Sequence, residues 1–245
     1  MNQRIVIIPT YNEIENIEAI IRKVCSLSMA FDILIVDDGS PDGTGACVKK
    51  LQGEFPQLHI LERTEKNGLG TAYIAGFKWC LTKGFKYIFE MDADFSHNPE
   101  DLPKLYEACA NGAHMSIGSR YATGVNVVNW PMSRVMLSYF ASKYVQFITG
   151  LPIHDTTAGF VCYTDTVLNT IDLDKIKFRG YAFQIEMKFS AWKHGFILKE
   201  VPIIFTDRTL GQSKISKNII REAIWGVLAL KFKSMIKKYP KYQGS

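Results

Sequence analysis

The sequence predicts an α/β fold in which a mostly parallel sheet is flanked by helices. Short apolar runs rich in β-branched residues alternate with segments whose apolar residues fall at helical spacing, the pattern of right-handed βαβ units. Polar residues gather where those runs end, and in such sheets ligands bind outside the carboxyl ends of the strands. The chain of 245 residues, 47% hydrophobic and 22% charged, is long enough to bury a sizeable core.

Residues 4–8 form a continuous β-branched run, expected to be covered on both faces and to stop at Pro9. After Thr10-Tyr11-Asn12-Glu13, the spacing of Ile14, Ile17, Ile20, Ile21 and Val24 predicts a helix, with Asn12 and Glu15 in capping-box register. A second buried strand over 31–36 ends in Asp37-Asp38-Gly39-Ser40-Pro41-Asp42-Gly43-Thr44, and a helix follows through Cys47, Val48 and Leu51. A short strand at 58–61 precedes Asn67-Gly68-Leu69-Gly70 and a helix over 71–81. A strand over 86–91 runs into Asp92-Ala93-Asp94; a helix from about 99 to 110 and a strand at 113–117, closing at Gly118-Ser119-Arg120, complete the alternation.

Beyond Arg120 the pattern changes. Residues 121–130 read as a loop, 131 to about 149 as a long helix rich in Met, Tyr and Phe, and 150–160 as a polar loop. A helix over 182–194 precedes a strand over 196–206, which Pro202 marks as irregular or at an edge. A polar loop carries Asp207-Arg208 and Gly211-Gln212-Ser213-Lys214, and a last helix covers about 219–238. No repeat, low-complexity tract or linker divides the chain. The expected organisation is a catalytic domain over 1–215 and a basic amphipathic helix over 216–245.

Composition narrows the function. Five widely spaced cysteines without a Cys-x-x-Cys pair argue against structural zinc and a disulfide framework. No leader-like segment precedes the first strand, and the apolar run 223–230 is too short to span a bilayer. From residue 207 onward nine Lys or Arg face two acidic residues, a net +7 within a whole-chain +5. A basic tail on an otherwise slightly acidic chain points to a local anionic partner, not to nucleic acid bound over the whole surface.

The chemistry centres on Asp92 and Asp94. Residues two apart on a strand share a side, and paired carboxylates repel unless a cation sits between them. Asp-x-Asp at the end of a buried strand therefore suits a hard divalent metal that clamps phosphate oxygens. An exposed Asp-rich loop is the alternative. Tyr11, Glu13, Asp37, Asp38, Asp92, Asp94 and Arg120, brought to one edge by four strands, favour a binding site. Asp38 could accept hydrogen bonds from a base or ribose, or simply favour a helix N-terminus. The Tyr11 ring could stack on a base or pack over the sheet edge. Arg208 and Lys214 could close over a diphosphate or form a solvated basic loop. No P-loop, Gly-x-Gly-x-x-Gly or Gly-x-Ser-x-Gly occurs, so phosphate handling must rest on a metal and on cations.

Four motifs, Ile7-Ile8-Pro9-Thr10-Tyr11-Asn12-Glu13, Val36-Asp37-Asp38-Gly39-Ser40-Pro41-Asp42-Gly43-Thr44, Met91-Asp92-Ala93-Asp94-Phe95-Ser96-His97-Asn98-Pro99 and Gly118-Ser119-Arg120-Tyr121, resemble the family 2 GT-A glycosyltransferases. Within that family the chain is most similar to the polyprenyl-phosphate (dolichol-phosphate) mannosyltransferases, through Asp155-Thr156-Thr157-Ala158-Gly159-Phe160 and the Asp207–Lys214 segment. The resemblance covers residues 5 to about 230 and implies a GT-A fold with a Rossmann-like sheet. It implies that Pro9, Tyr11, Glu13, Val36 and Asp38 contact the nucleoside of GDP-mannose. Asp92 and Asp94 would hold Mg²⁺ or Mn²⁺ against the diphosphate, with Ala93 in backbone contact, and Arg208 and Lys214 would gather the phosphates. Asp94 and Arg120 would be the catalytic pair, with Arg120 near the sugar or the acceptor phosphate. Ser96 stands where some relatives carry a Gln that reaches the metal; the shorter hydroxyl would reach it through water.

The implied reaction is inverting transfer of mannose to a polyprenyl or dolichyl phosphate. His97 and His154 need no catalytic role in it. The acceptor implies a peripheral enzyme at the cytoplasmic face of a membrane, with a membrane subunit as a possible partner. The helix from 219 would lie on anionic headgroups, Lys231, Lys233, Lys237 and Lys238 facing them, or would pack on the domain. The aromatic stretch 132–147 would guide the lipid or form a core helix. Rival readings are transfer from another donor such as UDP-glucose, a nucleotidyltransferase, and a non-catalytic nucleotide-binding module.

Overall fold

The computed structural model describes residues 3–65, 67–180, 182–207, 217–236 (backbone alone as far as 223) and 238–243. Its first half is the expected alternation: β1 (Arg4–Thr10), α1 (Ile14–Cys25), β2 (Asp32–Asp37), α2 (Thr44–Leu51), β3 (Leu58–Glu62), α3 (Leu69–Thr82), β4 (Tyr87–Glu90), α4 (Leu102–Ala110) and β5 (Met115–Ser119). The second half holds β6 (Val127–Val128), α5 (Met132–Thr149), β7 (Val161–Thr164), α6 (Asp165–Thr170), α7 (Ala182–Lys193), β8 (Leu198–Pro202), β9 (Phe205–Thr206) and α8 (Lys217–Ile236).

Seven strands form one sheet in the order β3-β2-β1-β4-β7-β5-β8. Every pairing is parallel except those of β7, which runs against both β4 and β5. One face packs Ile5, Ile7, Leu34, Val36 and Val161 against Tyr73 and Phe77 of α3 and Phe183 and Met187 of α7. The other packs Val6, Ile8, Ile33, Ile35 and Phe89 against α1, α2 and α4. Alternate residues of each central strand thus enter different cores, which is why those strands read as unbroken apolar runs.

Several expectations are corrected. β1 continues through Pro9 to Thr10. The Met91 amide donates to the Ile7 carbonyl, so residue 9, two further on, faces the same side. There β4 has already ended, and the missing N–H of Pro9 removes no sheet bond. Residues 121–130 contain β6, which pairs with β9 in a separate two-stranded sheet. The single strand expected over 196–206 is divided at Pro202 into β8, at the edge of the large sheet, and β9. β7 and α6 had no counterpart in the sequence reading.

The Asn12/Glu15 capping box does not form. Asn12 adopts a left-handed conformation (φ 57°) and α1 has no side-chain cap of its own. The loop after β2 caps it from the neighbouring strand instead. Ser40 Oγ accepts from the Asn12 amide (3.0 Å), Thr44 Oγ1 from Glu13 (3.1 Å) and Asp42 Oδ2 from Ile14 (3.1 Å). Asp42 Oδ1 also accepts from the Thr44 amide and hydroxyl. Slight burial opposes its charge, but the bonds from Thr44 and Ile14 hold the Asp42 carboxyl below the ordinary carboxylate range. A depressed carboxyl stabilises the fold above its unfolded pKa and loses that contribution as pH falls. Asp42→Ala is expected to cost about 1 kcal/mol in urea denaturation at pH 7. The difference from the parent should shrink as pH falls below the usual Asp range.

Candidate active site

The parallel ends of β2, β1, β4 and β5 deliver the seven expected polar residues to one edge of the sheet. Because β7 is antiparallel, it starts at that same edge, and the loop 155–160 before it joins them.

At the β1–β2 end, Asp37 is internal. Thr10 Oγ1 (2.8 Å), the Ser40 amide (3.0 Å) and Ser40 Oγ (2.6 Å) all donate to its carboxylate. Asp37 therefore shapes the loop, and Asp38 is the carboxylate of the pair left beside the cleft. It lies 3.3 Å from Nη1 of Arg63, whose Nη2 donates to Thr71 Oγ1 at 2.7 Å. Sequence reasoning missed Arg63, although a cation directly after β3 was the available signal. Pro9, Tyr11 and Glu13 are half-buried along this edge. Val36, register partner of Pro9, is enclosed in the core and presents no surface.

At the β4 end, Asp92 and Asp94 follow a strand whose Phe89 and Glu90 are wholly buried. Phe95 takes a left-handed conformation (φ 60°), uncommon for a bulky residue. The turn is fastened on both sides. Asp94 Oδ1 accepts from the Ser96 amide (3.1 Å), and His97 Nδ1 accepts from the Asp92 amide (3.2 Å). The His97 ring stacks on Phe160 (centroids 4.9 Å apart) and stands edge-on to Phe205. Burial holds it neutral, drawn down to about 4 although Asp94 favours its charged form. With Nδ1 used in this way, His97 is a support of the hinge. Ala93 and Ser96, in the same turn, are buried.

Among the described residues no three His, Cys, Asp or Glu side chains gather to cage a metal. Two hard oxygen donors at a strand end instead match Mg²⁺-type sites, in which one or two carboxylates share the ion with substrate phosphates and water. The donor set therefore fits a divalent ion that arrives with a diphosphate, held by Asp92 and Asp94.

At the β5 end, Arg120 is mostly buried. Its Nε and Nη2 bind Asp155 Oδ2 and Oδ1 (2.7 and 2.6 Å), its amide also donates to Asp155, and Nη2 reaches Thr157 Oγ1. Tyr121, Trp130 and Phe205 surround the guanidinium. Burial alone would push the Asp155 carboxyl up, but Arg120 holds it below the ordinary range. Arg120 is thus an oriented cation in a neutral pair, not an open charge. Arg134 of α5, also unforeseen, lies over Trp130 and binds Asp207 Oδ1 at 2.8 Å. Arg208 and Lys214 lie outside the described residues.

The pattern of glycosyl transferase family 2 matches residues 5–171. The chain belongs to that family. A polyprenol monophosphomannose synthase of Mycolicibacterium smegmatis is 48% identical over 229 residues, 91% of this glycosyltransferase and 86% of the relative. An undecaprenyl-phosphate mannosyltransferase of Micrococcus luteus is 46% identical over 228 residues, 91% and 93% of the two chains. A crystal structure of Mycobacterium tuberculosis glucosyl-3-phosphoglycerate synthase with Mn²⁺, UDP-glucose and glycerol 3-phosphate superposes with a TM-score of 0.65 at 14% identity. That alignment spans 94% of this chain and 79% of the other. A mannosyltransferase from Pyrobaculum calidifontis, in complex with GDP-Man and Mn²⁺, gives 0.61 at 17% identity over 97% and 66%. These likenesses establish the GT-A fold.

Breaking one side of a buried bidentate ion pair strands the other charge. Asp155→Asn is expected to destabilise the protein by about 3 kcal/mol in urea denaturation. Arg120→Met combined with Asp155→Leu should cost less than either charge removed alone.

Proposed function

We propose that this glycosyltransferase moves mannose from GDP-mannose to a polyprenyl phosphate, giving polyprenyl-phosphate-mannose and GDP with inversion at the anomeric carbon. The observation that carries the reading is the near-half identity, over nine-tenths of the chain, to a polyprenol monophosphomannose synthase. The geometry of the sheet edge supports it. Tyr11, Glu13 and Asp38 would receive the nucleoside over the β1–β2 end, with Pro9 beneath it; Val36, wholly buried, would back Pro9 from the core and not touch the nucleoside.

Asp92 and Asp94 would carry Mg²⁺ or Mn²⁺, which when bound neutralises charge on the leaving diphosphate. Arg208 and Lys214 would gather the same phosphates. Arg120, oriented by Asp155 and Thr157, would align the acceptor phosphate. An acceptor oxygen attacks the anomeric carbon as the bond from that carbon to the GDP β-phosphate oxygen breaks. The nucleophile is already an anion, so alignment and charge placement dominate and no dedicated base is required. His97 Nδ1 is occupied by the Asp92 amide, in keeping with that absence.

Lipid access is read from α5 and α8. α5 buries Ser142, Val145 and Thr149 and exposes Met132, Met136, Leu137, Phe140 and Phe147, the last 88% exposed. Its outward apolar face favours the lipid-guiding reading over a core helix. α8 packs beside it, with Tyr144 Oη donating to the Ile224 carbonyl (3.1 Å), and exposes Trp225, Phe232, Met235 and Ile236. An apolar surface of this extent suits a membrane interface, with the basic tail drawn to anionic lipid. No helix of the described residues is long and apolar enough to cross a membrane.

With labelled GDP-mannose and polyprenyl phosphate, label is expected in the organic phase, and Asp94→Asn should lower the rate at least about 100-fold. A preference for UDP-glucose in the same assay would overturn the donor assignment, and no transfer from any nucleotide sugar would favour a non-catalytic module. Flotation with phosphatidylglycerol-containing liposomes should recover the parent. Replacing Phe140, Trp225 and Phe232 by Ser should weaken recovery about tenfold or more; unchanged recovery would remove the interface role.

A further inference from the structure

Lys188, on α7, has no exposed surface. Burying an ammonium is costly unless its donors are satisfied and opposite charge is near. Its Nζ donates to the Ala158 carbonyl (2.5 Å), the Gln184 carbonyl (3.3 Å) and Gln184 Oε1 (3.3 Å). The Gln184 amide can then face only one way, with Nε2 donating to Glu90 Oε2 at 2.6 Å. Glu90, equally enclosed, also accepts from the Tyr163 hydroxyl at 3.2 Å. Burial draws Lys188 down to about 8, while Glu90 and Asp155 favour its charged form and Arg120 opposes it.

These contacts join two parts of the site. Glu90 ends β4, the strand that continues into Asp92 and Asp94. Ala158 lies in the loop that carries Asp155 and Thr157, the partners of Arg120. The start of that loop is fastened elsewhere: Glu200 of β8 accepts from the amides of His154 and Asp155, both at 2.8 Å, and from Ser119 Oγ at 2.7 Å. At Gly159 the loop passes between Gln184 and His97, and an added Cβ would stand 3.8 Å from each. Glu200 thus holds the beginning of the loop and Lys188 its middle.

We propose that Lys188 is a positioning residue for the phosphate of the acceptor, clamping the 155–160 loop so that Arg120 keeps a fixed register with the Asp92–Asp94 hinge. The proposal rests on the reading of the site as a transferase to a lipid phosphate and deepens it. Lys188 touches no reacting atom; it acts through the Ala158 carbonyl and through Gln184. If it served only to offset the Glu90 carboxylate, removing both charges together would be harmless.

The test compares the parent, Lys188→Met and the double variant Glu90→Gln/Lys188→Met. The double variant leaves no unpaired buried carboxylate and serves if the single variant does not fold. Hydrogen exchange of peptides spanning 154–161 and transfer kinetics with Mn²⁺, GDP-mannose and polyprenyl phosphate are both read. In the double variant exchange over 154–161 is expected to quicken and the KM for polyprenyl phosphate to rise, each about tenfold. The KM for GDP-mannose should rise less than that for polyprenyl phosphate, because the loop acts on the hinge only indirectly, through Phe160 and His97. Parent-like exchange and acceptor KM in the double variant would overturn the clamp and leave Lys188 as a counter-charge. If the parent transfers no mannose, the functional reading falls, and exchange alone decides the clamp: quicker exchange upholds it, unchanged exchange overturns it.

Discussion

β7 enters the sheet between β4 and β5 and runs against both, and the geometry of the active edge depends on that reversal. A parallel strand there would carry its preceding loop to the opposite end of the sheet. Reversed, it sets the 155–160 loop beside the ends of β4 and β5. Asp155 can then clasp Arg120, and Phe160 can stack on His97. His97 in turn accepts the Asp92 amide, so the pose of the two carboxylates rests on a ring held by the residue just before β7. The two polar halves of the site are joined through packing and buried hydrogen bonds, not through solvent-exposed contacts.

The same arrangement sets the electrostatics of the edge among the described residues. Its charges are already paired or hydrogen-bonded: Asp38 with Arg63, Arg120 with Asp155, Arg134 with Asp207. Pre-oriented groups in a mostly buried setting need little rearrangement when charge develops in a transition state. Asp92, half-exposed, and its neighbour Asp94 form a hinge that, on the proposed reading, would offer oxygens to an incoming ion without forming a complete cage.

The first half of the fold was readable because its signals are local. Strands 4–8, 31–36 and 86–91, buried on both faces, leave unbroken apolar runs, and the helix between the first two repeats its apolar residues every three or four positions. β7 escaped because Val161-Cys162-Tyr163-Thr164 is short and its partners are remote in sequence. The capping of α1 escaped for the same reason: Asp42 and Thr44 lie some thirty residues from the amides they receive. α5 was left between two readings, since aromatic content alone does not say which face is buried. In the site, the carboxylates of the hinge stood out as polar residues at strand ends. Arg63, Asp155 and Lys188 did not, because their roles come from pairing across the sheet. Asp155 was noticed only within a motif, and as part of the resemblance.

The central claim is that Asp92 and Asp94 bind a divalent ion jointly with the donor's diphosphate. Electron paramagnetic resonance of Mn²⁺, titrated with the protein in the presence and absence of GDP, tests it directly. Weak binding to the protein alone, at least about tenfold tighter binding when GDP is added, and loss of that gain in Asp94→Asn are the predicted results. Mn²⁺ binding indifferent to GDP, or unchanged in Asp94→Asn, would contradict the claim.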